Sequence, residues 1–147
     1  MNDPVTPAGG HRHVIRVRYA ESDQMGVAHH AAYVVWLEEA RIAWLRAHGH
    51  DYRALEASGI LMPVIDLQVK YRRSLRFDDE IEMTTRIAAY GPSRVTFSTV
   101  IACAGKDCAE GIVTVASMSR EGRPTRLPVA LADLMKVAAL NVGAAPA

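Results

Sequence analysis

Between residues 19 and 33 the chain reads Tyr19-Ala-Glu-Ser-Asp-Gln-Met-Gly-Val-Ala-His-His-Ala-Ala-Tyr33. This places a carboxylate at Asp23, a turn glycine at Gly26 and a histidine pair at His29 and His30, just ahead of a strongly apolar stretch. A helix start exposes unpaired backbone N–H groups and the positive end of the macrodipole. Such donors suit a developing oxyanion, and a carboxylate just upstream can serve as nucleophile or general base. By residue type alone Asp23 reads as a turn or capping aspartate. Its neighbours change that reading. Acyl transfer to water needs an attacking oxygen, a donor for the carbonyl and a pocket for the acyl group. Asp23, the N–H groups around His30 and the seam beside an apolar helix would supply the three.

Other chemistry-bearing residues read more plainly. His29 and His30 are adjacent, so their side chains point in different directions on a helix and do not readily share a metal ion. One lining a pocket while the other caps or packs at the helix start fits better. Glu38 and Glu39 read as a solvated face, with Glu38 pairing to Arg41 and Glu39 as the runner-up base. The run Lys70-Tyr71-Arg72-Arg73-Ser74-Leu75-Arg76 has the charge to hold an anion, although such runs are usually solvated strand edges. Cys103 and Cys108 flank a turn-like Ala-Gly-Lys-Asp and read as free thiols in adjacent strands. The sequence carries no zinc-type cysteine spacing, nucleophile elbow, phosphate-binding glycine loop or dinucleotide fingerprint.

The elements that must position these groups follow from hydrophobic period. His13 to Tyr19 alternates as a half-buried strand. Ala31 to His48 is helical, with Tyr33, Trp36, Leu37, Ala40, Ala43, Trp44 and Ala47 on one face and Glu38, Glu39, Arg41 and Arg46 opposite. Gly49 offers a stop, and Tyr52 to Ala57 is a short helix. The period then changes to two. Strands are predicted over Val64 to Tyr71, Glu80 to Ala88, Arg94 to Cys103 and Cys108 to Ser119, with turns at Gly91-Pro92 and Gly105. A short strand follows Pro124, and Leu131 to Leu140 is an amphipathic helix. One strand, a long apolar helix and then four antiparallel strands make an α+β chain whose curved sheet must wrap the helix.

Length and composition fit one domain over residues 13–140, with a flexible tail over 1–12 and a frayed end over 141–147. Of 147 residues half are hydrophobic and 22% charged, as in an ordinary globular protein. A net charge of +1 gives no general pull toward nucleic acid or membrane. Fourteen of the seventeen basic residues are arginine, which favours bidentate contact with phosphate or carboxylate. Without a signal peptide or a membrane-length apolar run, the expected location is the cytoplasm.

The loop resembles the signature of the hotdog-fold acyl-CoA thioesterases, in the branch of the 4-hydroxybenzoyl-CoA and Tol-Pal-associated thioesterases. Tyr19, Asp23, Gly26, His30 and Tyr33 match the family's positions, followed by Trp36-Leu37-Glu38-Glu39-Ala40-Arg41. Downstream, Tyr71 to Glu80, Arg94-Val95-Thr96-Phe97 and Arg123 to Pro128 are similar in the same order. Ala32 departs from the pattern, standing where many relatives carry asparagine, and Ser74 replaces a frequent proline. The resemblance implies a hotdog fold and hydrolysis of acyl-CoA to free acid and coenzyme A, without a cofactor or metal. It implies Asp23 and His30 as catalytic residues, with Tyr19, Gly26, Val27, His29, Tyr33, Arg72, Arg73 and Arg94 around the substrate. A homodimer or homotetramer is expected, with no nucleic-acid partner and no stable membrane insertion. Direct attack by Asp23 and activation of water both remain open. The rival readings are a hotdog hydratase or dehydratase and a noncatalytic acyl-binding protein.

Overall fold

Alternation of inward and outward side chains builds the middle of the sheet. A computed structural model describes residues 10–142 and 145–146, with side chains described as far as Ala139. Strand β1 is His11–Arg16, β2 is Val64–Tyr71, β3 is Glu80–Tyr90, β4 is Arg94–Cys103 and β5 is Lys106–Ala116. Ile81, Met83, Thr85 and Ile87 of β3 point inward beside Val95, Phe97, Thr99 and Ile101 of β4. The Thr85 and Thr99 hydroxyls meet at 2.9 Å, so the two buried polar groups in this row satisfy each other. Ala104 and Gly105 both take positive φ and turn β4 tightly into β5. All five strands pair antiparallel in the order β1-β3-β4-β5-β2, and a short β6, Ala145–Pro146, runs parallel to β3.

Three helices complete the chain: α1, Ala32–Ala47; α2, Tyr52–Ala57; and α3, Val129–Val142. Tyr33, Trp36, Leu37, Ala40 and Trp44 of α1 are buried in the core shared with the sheet. A fully buried side chain of the size of Leu37 or Phe97 contributes roughly 1.5–3 kcal/mol. Gly111 of β5 lets the helix sit close, because a Cβ there would overlap both Leu37 methyl groups. Leu131, Met135 and Ala139 of α3 cover the remainder beside β3. The sheet curls around a central helix, which is the hotdog arrangement.

The structure corrects several expectations. β1 begins at His11, inside the expected tail, and ends at Arg16, after which the chain bends into a 3-10 turn at Tyr19–Glu21. Residues 1–9 of that tail, and residues 143, 144 and 147 of the expected frayed end, lie outside the described residues. The last helix instead runs from 129 to 142. β3 continues to Tyr90, and β5 spans 106–116 rather than 108–119. The short strand after Pro124 reduces to an isolated bridge between Met118 and Pro124.

Two corrections concern burial. Arg41, expected on the solvated face of α1, is only 6% exposed. α2 and the segment after it fold back toward α1, with Tyr52, Leu55, Ile60 and Met62 joining the core. Burial lowers the Arg41 pKa from its ordinary value, and its Nε has no partner among the described residues. β2 forms over the expected residues, yet its apolar side chains Val64, Ile65, Leu67 and Tyr71 are all exposed. β2 is an edge strand, paired on one side only with β5, and the core centred on α1 leaves it uncovered.

Candidate active site

The segment from Ser22 to Ala28 is a miniature hairpin. Asp23 N–H donates to Val27 O at 2.9 Å and Gly26 N–H to Asp23 O at 3.0 Å. Gly26 has φ +75°, the left-handed residue that closes a three-residue hairpin loop. Asp23 Oδ1 accepts the Met25 N–H at 2.8 Å, the turn role its residue type favours. That engages one carboxylate oxygen, and Oδ2 has no protein partner among the described residues. The half-buried Asp23 is therefore both a turn residue and a carboxylate held open to the cleft beside it.

Bracing comes from chain far away in sequence. Ala28 N–H donates to Leu75 O at 2.7 Å, and the Arg76 guanidinium donates to Gly26 O at 3.2 Å. On the other flank His29 N–H donates to Glu21 O at 2.6 Å. The Glu21 side chain, 9% exposed, accepts from the Arg18 N–H, the Arg18 guanidinium and the Trp36 indole. Burial by itself would raise the Glu21 pKa. The hydrogen bonds from Arg18 and Trp36 and the Arg18 charge outweigh it and hold the carboxyl below its ordinary range.

The entrance to α1 carries no side-chain cap at Ala31. His29 does the work instead: its Nδ1 accepts Ala31 N–H at 3.0 Å and its carbonyl accepts Ala32 N–H at 3.0 Å. The amide just before these two, His30 N–H, has no acceptor among the described residues. This unpaired donor lies at the positive end of a sixteen-residue helix.

A cleft of about 320 Å³ opens here, lined by Asp23, Met25, Val27, Ala28, His30, Tyr33, Tyr71, Arg72, Arg73 and Ser74. Of the expected site residues it brings together Asp23, Val27, His30, Tyr33, Arg72 and Arg73. Arg72 is ion-paired with Glu110, and both Arg72 and Arg73 also border a wider groove with Lys106 and Asp107. Gly26 and His29 stand behind the lining as turn and cap. Tyr19 does not line the cleft; it is 78% exposed with its ring edge-on to Phe77. Arg94 is also placed elsewhere. It pairs opposite Ala116, while Tyr71 pairs opposite Ala109, so it lies about seven residues along β5, roughly 23 Å away. Glu39 turns toward β1, where His13 Nε2 meets its carboxylate at 3.1 Å. Burial raises the pKa of both free cysteine thiols, which makes them poor nucleophiles.

Comparison with known proteins settles the family. The description "Thioesterase-like superfamily" matches residues 17–136. The chain belongs to this superfamily. Among curated relatives, acyl-CoA thioester hydrolase YbgC of Escherichia coli O6:H1 is 34% identical over 84 residues, 57% of this chain and 63% of that protein. The chain spans about three fifths of the length of the curated relatives it matches. Solved structures match over more of it. A DHNA-CoA thioesterase from Staphylococcus aureus is 30% identical with TM-score 0.84, covering 88% of this chain and 91% of that one. Hypothetical protein TT1821 from Thermus thermophilus is 35% identical with TM-score 0.83, covering 86% and 98%. Among the described residues no helix is long and apolar enough to cross a membrane.

Sequence reasoning missed Tyr71 and Glu21 as site-forming residues. Tyr71 sat inside a run read for its charge. Glu21 carried a signal in retrospect, being the acidic residue three positions after Arg18 in a turn, where it can accept the Arg18 N–H.

Proposed function

We propose that this member of the superfamily hydrolyses acyl-CoA thioesters to a free acid and coenzyme A. The observation that carries the reading is the pairing, in one cleft, of an open Asp23 carboxylate oxygen with an unsatisfied His30 N–H at the start of α1. The thioester carbonyl carbon sits between them, with its oxygen toward His30 N–H. As the carbonyl becomes tetrahedral its negative charge grows on that donor, which strengthens the contact in the transition state. Asp23 Oδ2 either adds to the carbon, giving an anhydride that water opens, or takes a proton from a water that adds. In both routes the C–S bond breaks, and sulfur leaves as thiolate and is protonated. Arg72 and Arg73 lie at the mouth, where the anionic carrier of the thioester would pass.

The motif order supports the branch of 4-hydroxybenzoyl-CoA and Tol-Pal-associated thioesterases. The exposed apolar edge strand β2 supports a homodimer, since unpaired strand groups and Val64, Ile65 and Leu67 invite a second copy. Light scattering at micromolar concentration reads the assembly, and a fully active monomer overturns that part.

A panel of aromatic and aliphatic acyl-CoAs, followed with a thiol reagent and by detection of free acid, tests the activity. Thiol and acid released in equal amounts are expected. Hydration without thiol release, or saturable binding without turnover, overturns the reading.

A further inference from the structure

Tyr71 closes the exposed strand β2 and is itself 51% exposed, yet it is tied to the helix entrance at two points. Its hydroxyl donates to the His30 carbonyl oxygen at 2.9 Å. Its ring meets the Tyr33 ring edge-on, with centroids 4.9 Å apart and planes at 83°. Tyr33 is 3% exposed and lies in the first turn of α1, so it is a fixed surface for that contact.

These contacts bear on one rotatable unit. His30 N–H belongs to the peptide shared with His29, and that peptide is held through the His29 carbonyl by Ala32 N–H. The next peptide, between His30 and Ala31, is held on one side by Ala31 N–H on His29 Nδ1 and on the other by the Tyr71 hydroxyl. With both neighbouring planes tethered, the two backbone dihedrals at His30 are fixed, and so is the direction of its N–H. Without the hydroxyl, one tether of the second plane is lost at a position outside the regular helix.

We propose that Tyr71 is a positioning residue, whose hydroxyl holds the His30 peptide so that the His30 N–H stays aimed at the incoming carbonyl oxygen. This rests on the reading of that amide given above. The hydroxyl acts through His30 and not on the reacting atoms, while the ring serves separately as a wall of the cleft. Removing an aligned oxyanion donor costs about 10²–10³ in kcat, so loosening one costs less.

Tyr71→Phe separates the two roles, because it keeps the ring and deletes the hydroxyl. The fastest acyl-CoA of the panel is the probe. About three- to thirty-fold lower kcat is expected, with KM and melting temperature within error of the parent. A second readout is the infrared carbonyl stretch of that acyl-CoA bound to Asp23→Asn and to Asp23→Asn/Tyr71→Phe. The stretch should move toward its value in free substrate when the hydroxyl is lost. If Asp23→Asn is inactive but Tyr71→Phe matches the parent in kcat and carbonyl frequency, the role of Tyr71 falls and the site reading stands. Undiminished turnover by Asp23→Asn, or no turnover of any acyl-CoA by the parent, overturns both.

Discussion

The Glu21 carboxylate accepts the Trp36 indole N–H at 2.9 Å across fifteen residues of sequence, joining the hairpin that carries Asp23 to the middle of α1. Trp36 is 1% exposed, so this bond replaces solvation that neither group can recover inside the fold.

Glu21→Gln should lower stability by about 1–2 kcal/mol at neutral pH, since hydrogen bonds to a charged acceptor are weakened or lost. The folded carboxyl titrates below its ordinary value of 4.5. Its stabilisation is therefore complete above that value and lost as pH falls through the folded pKa. Urea midpoints for parent and variant should differ most above pH 5 and converge as pH drops below the ordinary value. A gap that is constant across this range would separate the bond from the ionisation of Glu21.

Asp23→Asn should reduce thioester turnover by about 10²–10⁴ while leaving the fold intact. Asparagine retains an oxygen to accept the Met25 N–H, so the turn survives and only the charge is lost. Steady-state kinetics and circular dichroism on the same preparation check this, and near-normal turnover by a folded variant removes Asp23 from the mechanism.

His30→Ala should be milder than Asp23→Asn, because alanine keeps the main-chain N–H. His30→Pro deletes that donor and should be more damaging by an order of magnitude or more (about 10²-fold by analogy with other oxyanion donors). Equal rates for two folded variants would contradict the backbone donor.

Gly111→Ala should destabilise by about 1–3 kcal/mol, as overpacking in a filled core does. The new methyl overlaps the Leu37 side chain, so Leu37→Ala in the same chain should relieve part of the loss. Thermal melts of the two single variants and the double variant measure the coupling. Additive losses would place the strain elsewhere.

Much of the architecture was legible because period is a local property. α2 and β2, at 52–57 and 64–71, carry their own punctuation in Asp51, Ser58-Gly59 and the alternation that follows. The pairing of Asp23 with the helix entrance was also legible, since both lie in one short segment. Burial of Arg41 was not, because it depends on α2 folding back toward a flank of α1 that looks polar in a helical projection. The departure of Arg94 from the cleft had the same origin: which end of a strand faces the site is set by sheet order. Tyr71 and Glu21 act through contacts 41 and 15 residues distant, which no local pattern encodes.

The sheet order has a consequence for how the protein assembles. β3, β4 and β5 are joined by tight turns and pair with their sequence neighbours, whereas β1 and β2 attach at opposite edges across long stretches of chain. Contacts of that kind require closing large loops and form slowly. The central meander is therefore expected to form first, with the two margins added later. The cleft draws on both margins, with its hairpin following β1 and Tyr71 ending β2, so the proposed site is expected to be completed late in folding. Native-state amide exchange should show β4 protected to near the global unfolding free energy, with β1 and β2 opening at lower cost. Uniform protection across all five strands would contradict this order.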